Sequence, residues 1–515
     1  MAPYLVHFTH KWLAFRVPEL EAVAQLMGIE LALDDESARE ELRQERRGVI
    51  GDPARRREAE ARERADVVVH LRSDDDARRL ASRLVLVQSI VALWGSGRTW
   101  DEVLARCAAS AHERIEPYLT EDRTFRVRVE AFGCKYQTRD AVALMQTHLA
   151  RLELKGTVRL KKPDNTVLVY VDHGMSGMPT PATPPRGIHV GRRIARAPGL
   201  SHADKFRLPD RRFLGPTSLD HQLSMVIANQ AHARPGALVL DPFCGTASIL
   251  VGCAAFGARV LGADLDARNL VGKGEGRTIW ANFAQYGFAP PLGLLRADFS
   301  AASTCWRHVP FLDAIVCDPP YGVRASSKKL ADGASDLLHE PGHEEHVPMR
   351  ERLNIEPLLD ALLAFAASRL VIGGRLVFLL PTTTDMRGSA APEHPALELR
   401  AESEQPISSR WCRRLVTMVK VRECAPGMHV SFERRAASLF DTAKLGRVAP
   451  SADSRRAARA ARAAHARTSA DVRARARSGD ALARWPRVRA LALVVAALVV
   501  TAALALAARR RGAAR

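Results

Sequence analysis

One stretch decides the fold: residues 237–248 read ALVLDPFCGTAS. The apolar run before Asp241 predicts a buried strand, and the apolar pattern over residues 249–256 predicts a helix. Gly245, in the turn between them, would let a ligand approach the backbone closely. Strand, glycine turn and helix form the nucleotide-binding half of a doubly wound α/β sheet, so we expect a cofactor to lie on this turn.

Two later apolar runs also end in acidic residues. Residues 259–263 lead into Asp264 and Asp266, and residues 292–297 lead into Asp298. An acid at the first of these positions suits ribose hydroxyls, and Asp298 could accept a hydrogen bond from an adenine amine. The predicted cofactor-binding residues are therefore Asp241, Pro242, Phe243, Gly245, Thr246, Ser248, Asp264, Asp266 and Asp298.

A fourth apolar run, residues 311–317, ends in Asp318, Pro319, Pro320 and Tyr321. The Asp318 carboxylate and the Pro319 carbonyl can each accept one N–H from an exocyclic amine, while Tyr321 can stack on the ring that carries it. By itself the tetrad could equally be a proline-rich turn that ends a strand.

The two motifs together favour one class of enzyme. Nicotinamide oxidoreductases share the layout, but the turn after Asp241 lacks their three-glycine spacing, and Ala247 stands where a further glycine would fall. A cofactor turn followed by an amine-binding tetrad predicts an S-adenosylmethionine-dependent amino methyltransferase, with the tetrad as its catalytic residues.

Several segments resemble one known family, the catalytic subunit of the eukaryotic tRNA guanine-10 2-amino methyltransferase. In the second half of the chain they are FLGPTSLD (213–220), IANQA (227–231), DPFCGT (241–246), ANFAQYG (281–287) and DPPYGVR (318–324). In the first half they are YLVHF (4–8), FRVPEL (15–20), KKPD (161–164), YVDHG (170–174) and HVGR (189–192).

This resemblance implies guanosine 10 of tRNA as the target and a ferredoxin-like and THUMP module in front of the methyltransferase domain. It also implies a small zinc-binding activator subunit as partner. Two features depart from the family pattern. Ala247 replaces a glycine often found in the cofactor loop, and charged insertions interrupt the N-terminal region and the region after Tyr321.

Charge and cysteine content bear on partners and location. The net charge of +19 and the pI of 10.1 favour a polyanionic partner or an anionic membrane surface, although the residues from Ser451 onward carry most of the excess. None of the eight cysteines forms a Cys-x-x-Cys pair, which favours a reducing, cytoplasmic location. Two basic clusters are the predicted phosphate contacts to RNA: Lys155, Arg159, Lys161, Lys162, Lys205, Arg207, Arg211 and Arg212.

The predicted domains are an RNA-binding module at 1–190 with a charged insertion at 36–66, a Rossmann-like methyltransferase domain at 191–430, and a basic low-complexity tail at 431–486. Within the second domain, residues 325–350 carry His339, His343 and His346. A metal site there is conceivable, but Pro341 and Gly342 interrupt the helix that it would need, so we expect a loop that covers the substrate.

The C-terminus contains nineteen uncharged, mostly apolar residues at 490–508, flanked by arginines on both sides. As a helix they would span about 28 Å, close to the thickness of a hydrocarbon core. Residues 487–511 are therefore a candidate transmembrane helix that would anchor the tail in an intracellular membrane. The alternatives are an alanine-rich helix that docks on the protein and a non-native extension.

The sequence thus predicts methyl transfer to the 2-amino group of a guanosine in tRNA. An adenine amino methyltransferase acting on DNA or RNA uses a similar tetrad and is one alternative. A membrane-tethered RNA-binding homologue without activity is the other.

Overall fold

The computed structural model describes residues 1–33, 65–174, 178–215, 218–299, 306–307, 309–320, 328–330, 350–352, 355–383, 386, 388–408 and 411–424. The chain divides into two compact units, Met1–Thr442 and Ala443–Arg515, and every described residue belongs to the first. Tyr321, nearly all of the 36–66 insertion, the three histidines of the 325–350 loop, the basic tail and the candidate transmembrane helix lie outside the described residues. Within the described ranges, no helix is both long and apolar enough to span a lipid bilayer.

The N-terminal part is built on an eight-stranded sheet. Its strands are β1 (Ala2–Phe8), β2 (Ala32–Leu33), β3 (Asp66–Leu71), β4 (Val87–Gly97), β5 (Thr124–Phe132), β6 (Thr157–Val158), β7 (Asn165–Asp172) and β8 (Gly187–Arg196), in the order β2-β3-β1-β4-β8-β7-β5-β6. The sheet includes Arg196 and so continues past the expected domain boundary at residue 190.

Within the described residues, five α-helices accompany this sheet: α1 (Arg16–Met27), α2 (Asp74–Arg83), α3 (Trp100–Ala109), α4 (Ala111–Arg114) and α5 (Thr138–His148). Local sequence sets where they begin. The Ser73 hydroxyl accepts a hydrogen bond from the Asp76 N–H and caps α2, and the Thr99 hydroxyl caps α3 in the same way. Helices α1 and α2 contribute Leu20 and Leu80 to one apolar core, and α3 contributes Val103 to a second.

The second sheet is the predicted doubly wound sheet. Its strands are β9 (Leu238–Asp241), β10 (Arg259–Asp264), β11 (Gly293–Arg296), β12 (Leu312–Cys317), β15 (Leu370–Thr383), β16 (Leu397–Pro406) and β17 (Trp411–Lys420), in the order β11-β10-β9-β12-β15-β17-β16. The first five strands in that order are parallel, and β17 and β16 are antiparallel to their neighbours. A separate pair, β13 (Lys328–Leu330) and β14 (Arg350–Arg352), joins the two ends of the 325–350 region.

The helices of this part are α6 (Gly199–Ala203), α7 (His221–Gln230), α8 (Ser248–Ala255), α9 (Ala267–Val271), α10 (Ile279–Gln285) and α11 (Ile355–Arg369). From β9 the chain runs outward through β10 to β11, and it then crosses back to β12 on the other side of β9, so the direction of strand addition reverses beside β9. In open α/β sheets, ligands bind at such a reversal, outside the carboxyl ends of the strands. This position coincides with the predicted cofactor turn.

A buried polar contact joins the two parts of the unit. The Glu19 carboxylate on α1 accepts hydrogen bonds from the Val85 and Leu86 N–H groups, each at 2.9 Å, and from the Asn229 side-chain amide on α7 at 2.6 Å. The Arg83 Nε donates to the Asn229 Oδ1 at 2.8 Å. Burial raises the pKa of Glu19 to about 7 even though these donors oppose the shift. The 227–231 segment thus takes part in the contact between the modules.

Replacing Glu19 by alanine should leave three buried N–H donors without an acceptor. We expect Glu19→Ala to lower the free energy of unfolding by about 3 kcal/mol, because unpaired buried donors and broken buried ionic contacts cost that much. Urea denaturation followed by fluorescence measures the change. Glu30→Ala, which removes an exposed pair with Arg72, is the control and should cost less than about 1 kcal/mol. Equal losses in the two variants would argue against a special role for Glu19.

Candidate active site

Three carboxylates meet at the carboxyl edge of the second sheet. Asp241 ends β9, Asp264 ends β10, and Asp318 directly follows β12. Asp241 is only 2% exposed, and burial raises its pKa well above the usual range, with the negative charges of Asp264 and Asp318 adding to the shift. Crowded buried carboxylates are stabilised by a positive charge, so this edge suits a cationic ligand.

The Asp264 carboxylate holds two loops together. Its Oδ2 accepts the Gly245 N–H at 2.8 Å, and its Oδ1 accepts the Asp266 N–H at 2.7 Å. Asp266 in turn accepts the Arg268 N–H and forms an ion pair with the Arg268 guanidinium at 2.6 Å. Asp264, which the sequence predicts to bind the ribose, therefore fixes the cofactor turn relative to the loop after β10.

The cofactor turn contains two left-handed residues. Gly245 has φ = 52° and Ala247 has φ = 64°. No described atom lies within 4 Å of the position that a Cβ on Gly245 would take, so the space above that backbone is open. Ala247 is fully buried, and its left-handed backbone costs about 1–2 kcal/mol relative to glycine. This geometry explains physically why a glycine is favoured at position 247.

The 213–220 segment lies against the cofactor turn. The Thr246 Oγ1 is 2.9 Å from the Ser218 Oγ, and the Gly215 N–H donates to the Ser218 Oγ at 3.1 Å. Asn282 clamps the start of the segment, because its side chain accepts the Phe213 N–H at 2.9 Å and donates to the Phe213 carbonyl at 2.7 Å. Three segments that are separate in sequence are thus brought together around one turn.

The remaining predicted cofactor residues occupy both sides of the site. Pro242 is buried, and Phe243 is half-buried with its ring edge-on to Phe299 at 5.0 Å. Asp298 is half-buried two residues after β11. The Ser248 hydroxyl accepts a hydrogen bond from the Arg211 Nη1 at 3.0 Å.

The placement of Arg211 contradicts its prediction as a phosphate contact. Its side chain is buried, with 7% of the residue exposed, and its Nε donates to the Phe206 carbonyl while its Nη1 donates to Ser248. A guanidinium held inside the protein cannot reach the phosphates of an RNA. The neighbouring basic residues Lys205, Arg207 and Arg212 are exposed.

On the amine-binding side, Pro319 is buried and Asp318 and Pro320 are half-buried. The Arg413 Nη1, on β17, donates to the Asp318 Oδ2 at 3.3 Å. Burial raises the pKa of Asp318 to about 6, and the positive charge of Arg413 opposes this shift. Sequence reasoning missed Arg413, because only the strand order brings it beside a residue so far away in the chain.

The other predicted RNA contacts form an exposed basic strip on the N-terminal sheet. We define the basic strip as the exposed residues Lys155, Arg159, Lys161, Lys162 and Arg128 together with the half-buried Arg126. The two arginines at 126 and 128 are not among the contacts predicted from sequence. The Arg126 Nη1 donates to the Leu160 carbonyl at 3.2 Å and thereby joins β5 to the lysine-rich loop. The alternation of arginines along β5, FRVRV at 125–129, was the available signal.

Two family models match the chain. Residues 60–198 match a THUMP N-terminal domain, and residues 209–276 match an RMKL-like methyltransferase domain. These matches confirm the predicted order of the two modules.

Curated relatives match over most of the chain. A protein of Dictyostelium discoideum described as tRNA (guanine(10)-N(2))-methyltransferase TRMT11 is 31% identical over 446 residues, which cover 83% of this chain and 84% of that protein. The Homo sapiens protein of the same description is 33% identical over 439 residues, covering 82% and 88%. Among solved structures, TrmN from Thermus thermophilus aligns with a TM-score of 0.38 and 19% identity over 81% of this chain and 100% of that chain.

Proposed function

The chain belongs to the TRMT11 family of tRNA (guanine(10)-N(2))-methyltransferases, and from this membership and the site geometry we propose how its residues serve the reaction. The enzyme methylates the 2-amino group of a guanosine in tRNA, with guanosine 10 as the proposed position. The observation that carries the assignment is the meeting of Asp241, Asp264 and Asp318 at one sheet edge beside an open glycine turn. Neither the adenine enzyme nor the inactive homologue is favoured.

S-adenosylmethionine fits the residues present at the cofactor turn. It carries a positive sulfonium and a positive ammonium group, which the carboxylates at this edge would stabilise. The open space above Gly245 allows close approach to the backbone. When bound, S-adenosylmethionine supplies an electrophilic methyl group. Asp241 and Asp264 would hold it, with Phe243 and Asp298 flanking the site.

Asp318 and Pro319 would orient the amine of a guanine that has left its stack. The ionised Asp318 carboxylate and the Pro319 carbonyl each accept one N–H, which directs the nitrogen lone pair toward the methyl donor. Transfer of the methyl group would break its bond to the sulfonium sulfur and leave S-adenosylhomocysteine, and the amine would give up one proton, for which the adjacent carboxylate is a suitable acceptor. Tyr321, outside the described residues, remains the predicted stacking partner of the base.

The N-terminal module would dock the tRNA through phosphate contacts. The basic strip is exposed except for the half-buried Arg126, which links β5 to the 155–162 loop through its hydrogen bond to Leu160. Such contacts fix the orientation of a nucleic acid without reading its sequence. The strip would therefore position the tRNA while the methyltransferase domain selects the base.

Asp318→Ala removes the carboxylate that binds the amine. We expect kcat for tRNA methylation to fall at least about 100-fold, as for loss of a central polar group in an active site. S-adenosylhomocysteine binding, measured by calorimetry, should change by less than about threefold, because the cofactor turn is untouched. Methylated nucleoside is quantified by mass spectrometry, and near-normal turnover would refute the role of Asp318.

Charge reversal tests the basic strip. The triple variant Arg128→Glu, Lys161→Glu and Lys162→Glu should raise KM for tRNA at least about tenfold with little change in kcat, and it should flatten the salt dependence of tRNA binding. Lys273→Glu, an exposed lysine after α9, is the control and should leave KM near the wild-type value. If kcat falls while KM stays constant, the strip does not dock tRNA.

An edge strand with exposed apolar residues lies at the opposite end of the second sheet from β16. Strand β11 is the edge strand in the described order, and Leu292 and Leu295 are 50% and 41% exposed there. Val271, on the adjoining helix α9, is also exposed. An exposed apolar edge strand is suited to pairing with a strand of another protein. We propose that the small zinc-binding activator subunit docks on this edge.

Leu292→Glu with Leu295→Glu places two charges on that edge. Co-purification of the co-expressed activator subunit should fall at least about tenfold, because charges on an edge strand oppose further pairing. Met178→Glu, which alters an exposed apolar residue of the linker, should leave co-purification unchanged. Retention of the subunit by the double variant would place its binding site elsewhere.

A membrane anchor at residues 487–511 remains a prediction from sequence, since that segment lies outside the described residues.

A further inference from the structure

Arg413 lies between two polar partners at the amine-binding side of the site. Its Nη1 donates to the Asp318 Oδ2 at 3.3 Å, and its Nε donates to the Gln405 Oε1 at 2.6 Å. Its side chain is 15% exposed and that of Asp318 is 24% exposed, so water screens the pair only weakly. Gln405, on β16, thus holds the plane of the guanidinium against the carboxylate.

The charges around this pair come from three other elements. Asp241 on β9 is close enough that the charge of Asp318 raises its pKa, and the thiol of Cys317 on β12 is kept neutral by burial. Asp220, at the start of α7, and Asp318 both favour the charged form of Arg413, although burial lowers its pKa overall. Burial therefore favours a protonated Asp318, and the positive charge of Arg413 opposes this effect.

The ionisation state of Asp318 decides which base edge it can bind. Guanine presents the N1–H and the 2-amino group side by side as donors, and an ionised carboxylate only accepts. A protonated carboxyl would place its own O–H against one of these donors. Adenine presents the N1 acceptor beside its amine, which an anionic carboxylate repels. An ionised Asp318 therefore favours guanine and disfavours adenine.

We propose that Arg413 is a positioning residue that keeps Asp318 ionised and oriented for the two adjacent N–H groups of guanine. This role rests on the proposed function of the site. Arg413 acts through Asp318, and Gln405 acts through Arg413. The ionisation and orientation of the Asp318 carboxylate therefore depend on β16 and β17, at the far side of the sheet.

The pH dependence of kcat/KM for tRNA tests this role. In the wild type, activity should rise with pH as Asp318 ionises, with a midpoint near its pKa of about 6. In Arg413→Met the midpoint should move at least about one pH unit higher, because an opposite charge at this distance lowers a carboxyl pKa by about that much. Arg413→Lys keeps the charge and should restore the midpoint to the wild-type position. Arg400→Gln, which removes an exposed arginine from β16, should leave the profile unchanged.

A second measurement does not require turnover. The Asp318 carboxyl carbon, assigned by its absence from the Asp318→Asn spectrum, can be titrated by carbon-13 NMR in the wild type and in the Met and Lys variants. Thermal melting checks that each variant is folded, and Arg413→Gln, which also removes the charge, replaces the Met variant if the latter does not fold. A midpoint that stays within about 0.3 units of wild type in a folded Arg413→Met protein would overturn the proposal.

The two proposals can fail separately. If the wild type does not methylate tRNA but the Asp318 signal shifts in Arg413→Met, the proposed function fails while the electrostatic role of Arg413 is retained. If tRNA is methylated normally and both midpoints stay fixed, only the role of Arg413 is lost. Equal activity loss in the Met and Lys variants without a midpoint shift would also overturn it, because that pattern indicates packing alone.

Discussion

Parallel pairing of β9 with β10 and β12 is the constraint on which the site depends. Parallel strands end at the same edge, so acids that follow them in sequence become neighbours in space. The cost of placing Asp241 and Asp264 there is offset by backbone N–H groups from Phe243, Gly245 and Asp266, and that of Asp318 by the guanidinium of Arg413. Repulsion among the carboxylates destabilises this edge when no ligand is bound. The same negative charges favour the binding of a cation there.

The N-terminal module is joined to this sheet by buried polar contacts. Asn229 on α7 bonds Glu19 and Arg83, and Arg375 on β15 donates to the Gln230 carbonyl at 2.8 Å and also bonds Gln25. Hydrogen bonds are directional, so they fix angles as well as distances. Apolar contacts constrain the relative orientation of two surfaces less strictly. The interface therefore gives the N-terminal module a defined orientation relative to the sheet.

Local patterns in the sequence were sufficient to predict the doubly wound fold and the acidic strand ends. Asp241, Asp264 and Asp318 could be found because an apolar run followed by an acid is visible within ten residues. Arg211 was wrongly predicted to contact phosphates, because a cluster of basic residues in a sequence usually indicates an exposed surface. Its hydrogen bond to Ser248 forms only in the folded chain and is not visible in the sequence. Arg413 could not be found at all, since its partner Asp318 is 95 residues away and β15 separates their strands.

The hydrogen bond from Arg211 to Ser248 has a consequence beyond placing one side chain. Arg211 belongs to the segment that connects the two modules, and Ser248 is the first residue of the helix after the cofactor turn. A ligand that shifts the turn would therefore act on the connection through this hydrogen bond. Because coupling free energies are reciprocal, tRNA held at the connection would change the affinity of the turn for its cofactor by the same factor. The affinity of the enzyme for each substrate would then depend on whether the other substrate is bound.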